Sequence, residues 1–237
     1  MSVKQNNTLW LNAFLLVAIV HIMFIVADNV LVTTITKYAL MPLLMMHVWT
    51  NRKQGMSLRD PLLVALFFSW MGDAFLLYDD RNSMYFILGL ASFLWAHVTY
   101  ISAFRKRMHA PDGVHKPKMI LLFLPILYAV ALFSKLAPHL GDMIIPVTLY
   151  TIVITLMCMF AILRYGRTSS YGFWFVLIGA ILFILSDSMI AWSSFYAPFN
   201  YSALLIMITY IMAQYLLVSG LMLHDADERT NPSQSGR

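Results

Sequence analysis

Gly172-Phe173-Trp174-Phe175-Val176-Leu177-Ile178-Gly179-Ala180-Ile181-Leu182-Phe183-Ile184-Leu185-Ser186-Asp187-Ser188-Met189-Ile190-Ala191-Trp192 holds 21 residues and one ionisable side chain, Asp187. Coiled as an α-helix at 1.5 Å per residue, such a run reaches about 30 Å, the thickness of a bilayer's hydrocarbon core. It shows none of the apolar–polar alternation of a barrel strand, and in lipid only helices and closed barrels satisfy their own backbone polar groups. The run therefore reads as a membrane-spanning helix.

Similar runs recur along the 237 residues, at 9–26, 34–49, 60–78, 83–104, 118–135, 143–164, 172–192 and 200–223. They are separated by turn and charge signals such as Asn51-Arg52-Lys53-Gln54-Gly55, Asp79-Asp80-Arg81-Asn82 and Pro198-Phe199-Asn200. Composition agrees. Some 60% of residues are hydrophobic and 11% charged, against roughly 25% charged in a soluble domain. The expected fold class is all-α, a polytopic membrane helix bundle of eight transmembrane helices. It is read as a single domain over residues 1–223 followed by a polar, disordered cytoplasmic tail over 224–237. The first run follows one lysine and no small-residue cleavage signal, so it reads as a retained helix.

The net charge of +5 does not point to nucleic acid, because basic residues of membrane proteins gather in cytoplasmic loops. With the N-terminus inside, every Lys and Arg except Lys37, Arg81 and Lys135 falls on the cytoplasmic side. Both termini are therefore expected in the cytoplasm of a multi-pass protein of a bacterial inner membrane. The single cysteine, Cys158, excludes an intrachain disulfide and a cysteine metal cluster, and no within-helix histidine spacing suggests a metal. No cofactor and no obligate protein partner are expected; the expected partners are the bilayer and a lipid substrate.

Ionisable groups at membrane depth are costly and so mark function by default. Nine of the eleven acids, Asp60 among them, sit at span ends, in loops or in the tail, where solvation accounts for them. Asp73 and Asp187 remain. Each lies about five residues below the outer boundary, roughly 7 to 8 Å in, and each is flanked by small residues, Gly72 and Ala74 or Ser186 and Ser188. Lys37 opens the second span and either snorkels to the interface or serves as an anion-binding or pKa-tuning partner. Tyr150 enters from the outer side, where an interfacial belt position is the plainer reading. His97 and Tyr100 share one helix face, as do Tyr210 and Gln214; for both pairs an interhelical hydrogen bond competes with a catalytic role. His21 and His47 read as satisfied core histidines.

Lys37 with Pro42, Gly72-Asp73 with Phe75-Leu76, Phe93 with His97 and Tyr100, Tyr150 with Arg164, Gly179-Ala180 through Phe183 to Ser186-Asp187, and Tyr210 with Gln214 follow one another in an order that resembles the YhhN family, which includes the TMEM86 lysoplasmalogenases. The resemblance runs from the second span to the last. It implies a membrane hydrolase that cleaves the vinyl ether bond of lysoplasmalogens to a fatty aldehyde and glycerophosphoethanolamine or glycerophosphocholine, with catalytic aspartates at Asp73 and Asp187. Vinyl ether hydrolysis gives an independent reason to want carboxyls, since an acid must protonate carbon and a carboxylate must stabilise the resulting cation or activate water, as in glycoside hydrolysis. Lys37, His97, Tyr100, Tyr150, Tyr210 and Gln214 are then expected to bind or orient substrate and water. Three other readings compete: a proton-coupled transporter using the two acids as relays, a non-catalytic lipid-binding protein, and a metal-dependent lipid amidase resembling the alkaline ceramidases.

Overall fold

The computed structural model describes residues 8–51, 60–78, 82–106 and 119–230, with side chains as far as residue 223. The described residues form eight α-helices joined by turns: α1 Leu9–Val26, α2 Val30–Asn51, α3 Pro61–Leu76, α4 Ser83–Lys106, α5 Phe123–Leu136, α6 Ile144–Ile162, α7 Ser170–Phe195 and α8 Ser202–Thr230. Short 3-10 turns precede α5 and α6. Each expected span corresponds to one helix, so the protein is an all-helical, multi-pass membrane protein. Seven segments are long and apolar enough to cross a membrane; α3, with 16 residues, is shorter. The last helix runs to Thr230, so the first seven residues of the expected tail are helical rather than disordered. Many loop charges, among them Lys4, Arg52, Lys53, Arg59, Asp79, Asp80, Arg81, Arg107, Asp112, Lys116, Lys118 and Arg237, lie outside the described residues.

Local chemistry sets the helix starts. Asn29 and Asn82 accept the backbone N–H of Val32 (3.1 Å) and Met84 (2.9 Å), and Ser169 accepts that of Gly172 at 3.3 Å. These side chains occupy donors that a helix cannot satisfy internally. Asp60 does the same for α3, accepting from Leu62 N at 2.9 Å with Pro61 at the first helical position. It is 3% exposed. The expectation that solvent accounts for Asp60 is thus wrong: the helix N-terminus holds it.

The chain divides into two compact units, one ending at Ala96 and one beginning at His97. In the first, α1 packs on α2 and α2 on α3. Pro42, inside α2, has no N–H to give the Tyr38 carbonyl four residues back. The indole Nε1 of Trp70 on α3 donates to that carbonyl at 3.0 Å. An orphan acceptor made by the proline thus ties α3 to α2. On the α3 side facing α4, a Cβ at Gly72 would lie 2.5 Å from the Phe93 ring, and one at Gly89 would lie 2.8 Å from Leu76. Glycine lets the two helices approach there.

In the second unit α7 and α8 pack along most of their shared length. A Cβ at Gly179 would lie 3.1 Å from the Ala213 carbonyl, and one at Gly220 would lie 2.8 Å from Phe175 Cβ. Ser186 adds a hydrogen bond across the same seam, to the Ile206 carbonyl at 3.1 Å. Arg164, just beyond α6, was placed by its sequence position among the cytoplasmic loop cations. The structure buries it completely. Its guanidinium lies over the Phe104 ring and donates to the Phe104 carbonyl at 3.0 Å, in the last turn of α4. A fixed cation there meets both an orphan carbonyl and the negative end of the helix dipole.

Candidate active site

Two polar clusters lie within the helices, one in each unit. In the first, α3 carries Asp73 immediately after Gly72, and the close approach of Phe93 fixes that turn. Asp73 is 3% exposed, and its carboxylate lies 4.0 Å from Lys37 Nζ on α2. Lys37 is partly exposed, so its ammonium reaches back from the surface to the acid rather than only outward. Beside it the Tyr38 hydroxyl donates to the Tyr78 hydroxyl at 3.4 Å. The Pro42–Tyr38–Trp70 junction holds α2 and α3 in the register that brings Lys37 and Asp73 together. His21, on α1, lies 2.7 Å from the Thr36 hydroxyl through Nδ1, and His47 meets Asn51 at 3.2 Å.

In the second cluster, Tyr150 on α6 donates its hydroxyl proton to the Asp187 carboxylate on α7. His97, from α4, places Nε2 3.6 Å from the same oxygen. Its imidazole meets the Tyr150 ring edge-on with centroids 5.3 Å apart, and the Phe183 ring at 4.7 Å. Tyr150 is therefore not the interfacial belt residue that its sequence position suggests. It is 8% exposed and directed at the acid. One step further along α4, the Tyr100 hydroxyl donates to Gln214 Oε1 on α8 at 2.5 Å. The two polar stripes read separately from the sequence, His97–Tyr100 and Tyr210–Gln214, are thus joined by that bond. Tyr210 enters through its ring, edge-on to Phe183 at 5.6 Å.

Phe183, named in the family-like motif but given no role in the site, touches the rings of His97, Tyr100 and Tyr210. One signal was present: it lies four residues before Asp187, on the same helical face. The cluster so built is a half-buried carboxyl with a hydroxyl donor, an imidazole within reach and an aromatic wall. That set is suited to giving and taking a proton in a site poor in water. Among the described residues no three His, Cys, Asp or Glu side chains gather closely enough to hold a metal ion.

A lysoplasmalogenase TMEM86B from Homo sapiens is 30% identical over 211 residues, covering 88% of this chain and 84% of that protein. TMEM86B from Sus scrofa, also a lysoplasmalogenase, is 34% identical over 65% of this chain and 59% of its own length. Lysoplasmalogenase TMEM86A from Bos taurus is 35% identical over 66% of this chain and 62% of its own length. In these last two the match spans less than two thirds of the relative. No solved structure matches the chain significantly. The model of the YhhN family matches residues 32–221, from the second helix into the eighth and through both clusters. With that extent of match and the order of motifs already described, this chain belongs to the YhhN family.

Proposed function

We propose that the protein hydrolyses the vinyl ether bond of lysoplasmalogens, with the Asp187 cluster as its acid–base centre. The observation that carries the reading is the Tyr150 hydroxyl held on the Asp187 carboxylate with His97 beside it, inside the membrane-spanning part of a chain 30–35% identical to lysoplasmalogenases. The Asp187 carboxyl gives its proton to the terminal carbon of the C=C–O unit, which leaves an oxocarbenium ion on the carbon bonded to oxygen. Water adds to that carbon, guided by His97, and loses a proton to the carboxylate, so the acid is regenerated. The hemiacetal then collapses: its hydroxyl gives up its proton as the C=O bond forms, the bond to the glycerol oxygen breaks, that oxygen takes up a proton from the Asp187 carboxyl, whose carboxylate receives the hydroxyl's, and the fatty aldehyde leaves. One water is consumed and one carboxyl cycles between acid and base, as the acid–base residue of a retaining glycosidase does. Tyr150 stabilises the carboxylate each time it forms.

Asp73, paired with Lys37 in the other unit, is proposed as a second functional carboxyl, outside the cycle written for Asp187. Tyr100 and Gln214 fix the helix positions around His97. We also propose a bacterial inner membrane as its location, with both termini cytoplasmic; the Lys and Arg distribution supports that orientation.

The experiment is purified protein with lysoplasmenylethanolamine, following aldehyde release for wild type, Asp73→Asn and Asp187→Asn. Loss of a general acid or base lowers the rate about 10²- to 10⁴-fold, and that loss is expected for Asp187→Asn. Full activity in Asp187→Asn removes the proposed centre, full activity in Asp73→Asn removes only the second carboxyl, and a folded, inactive wild type removes the substrate.

A further inference from the structure

The second unit holds an open-sided cavity of about 600 Å³ lined by α5, α6 and α7. Its volume lies within the usual range of a small-molecule site. Its floor is Cys158, Ile162, Phe173 and Ile184, all buried, and its open rim includes Trp174 and Ile181, both exposed. Among the described residues no charged side chain lines it. Leu177, Ile181, Ile184 and Leu185 follow one another along α7 at helical spacing, so the cavity is a groove running along that helix. From Phe173 to Leu185 the α7 backbone rises about 18 Å at 1.5 Å per residue. Near the far end, Ile184 stands one helical turn before Asp187.

An apolar groove that is open at its side within a membrane-spanning segment borders hydrocarbon, not water. One that ends within a helical turn of a carboxyl-bearing residue fits a molecule with a long hydrocarbon tail and a reactive bond at the head of that tail. We propose that this groove binds the single hydrocarbon chain of the lysolipid, tail toward Phe173, so that the bond next to the chain lies at Asp187. The assignment rests on the lysoplasmalogen reading, which it deepens: the protein selects its substrate by the chain, and a one-chain lipid suits a groove with one channel. Ile181, on the rim midway along, then sets how long a chain fits.

The test uses the full chain in phosphatidylcholine nanodiscs with a saturated 1-alkyl lysophosphoethanolamine carrying a diazirine at the chain terminus. This probe cannot be hydrolysed, so labelling does not depend on turnover. Photolabel is expected on peptides around Phe173–Leu177, suppressed by excess unlabelled lysolipid and not by glycerophosphoethanolamine. In Ile181→Trp labelling drops, and kcat/KM for long-chain lysoplasmalogen falls about tenfold or more relative to a short-chain substrate, the scale of misfit in a hydrophobic pocket. Leu177→Phe, a milder filling of the same channel, moves both readouts in the same direction if Ile181→Trp does not fold. Label scattered over the lipid-facing surface and indifferent to competitor means bulk lipid only and overturns the assignment, as does a chain-length profile unchanged in both variants. Competed labelling in a protein that releases no aldehyde keeps the groove and discards the hydrolase reading.

Discussion

The Asp187 cluster depends on one hydroxyl proton. A hydrogen bond to a charged group contributes about 1.5–3 kcal/mol, so Tyr150→Phe is expected to lower kcat roughly ten- to a hundredfold with KM little changed, in the aldehyde-release assay. A fall in KM alone contradicts the role given to Tyr150. Gly72 makes a different demand. Because a Cβ there would lie 2.5 Å from the Phe93 ring, Gly72→Ala overpacks the α3–α4 contact, at a cost of about 1–3 kcal/mol. Thermal unfolding should show the loss, and Phe93→Leu in the same chain should recover part of it; no recovery means that the ring is not the obstacle. At this scale the sequence showed which residues are expensive in a membrane but not what they touch. Asp73 and Asp187 were legible because charge at depth is rare. Arg164 was read only for its side of the membrane, because a basic residue next to a loop looks alike whether it faces water or folds under a helix end. Tyr150 was misplaced because a tyrosine near a span end fits an interface equally well. Phe183 carries no polar signal at all.

Among the helices, spacing alone was enough to place all eight, since long apolar runs and short polar breaks leave few alternatives in lipid. Their ends moved by a few residues. The second helix begins at Val30 rather than 34 because Asn29 caps it, and α7 begins at Ser170 because Ser169 does. What no pattern showed was how α2 and α3 are fastened. Pro42 frees the Tyr38 carbonyl and Trp70 takes it. A hydrogen bond of this kind contributes about 0.5–1.5 kcal/mol, and Trp70→Phe should lose about that much stability in wild type. In a Pro42→Ala background, residue 42 regains an N–H for the same carbonyl, and the Trp70→Phe cost is expected to shrink. A double-mutant cycle measures the difference; equal costs in both backgrounds sever the link between the proline and the indole. Activity should follow, because the same junction sets the Lys37–Asp73 distance.

For the whole molecule, the distribution of Lys and Arg expects reporters fused to the two ends to face the same compartment, a result that paired phosphatase and fluorescent-protein fusions read directly; opposite sides remove the orientation. The helices also differ in reach. At 1.5 Å per residue α8, with 29 residues, extends about 44 Å, whereas α3, with 16, extends about 24 Å. A hydrocarbon core of about 30 Å exceeds α3, and hydrophobic mismatch of this sign is met by thinning the bilayer around the short segment. The 14-residue α5 is lengthened by its flanking 3-10 turns to the 21 residues Met119–His139, so the helix that carries Asp73 is the shorter apolar segment, and its surroundings respond to membrane thickness. Reconstituted in lipids of increasing acyl length, the protein is expected to lose activity in the thicker bilayers before it loses its fold, with aldehyde release and thermal unfolding measured side by side. Activity flat across that series would mean that α3's neighbours, not the lipid, absorb its shortfall. If the decline is seen, the choice of host membrane becomes a control on the enzyme without any ligand.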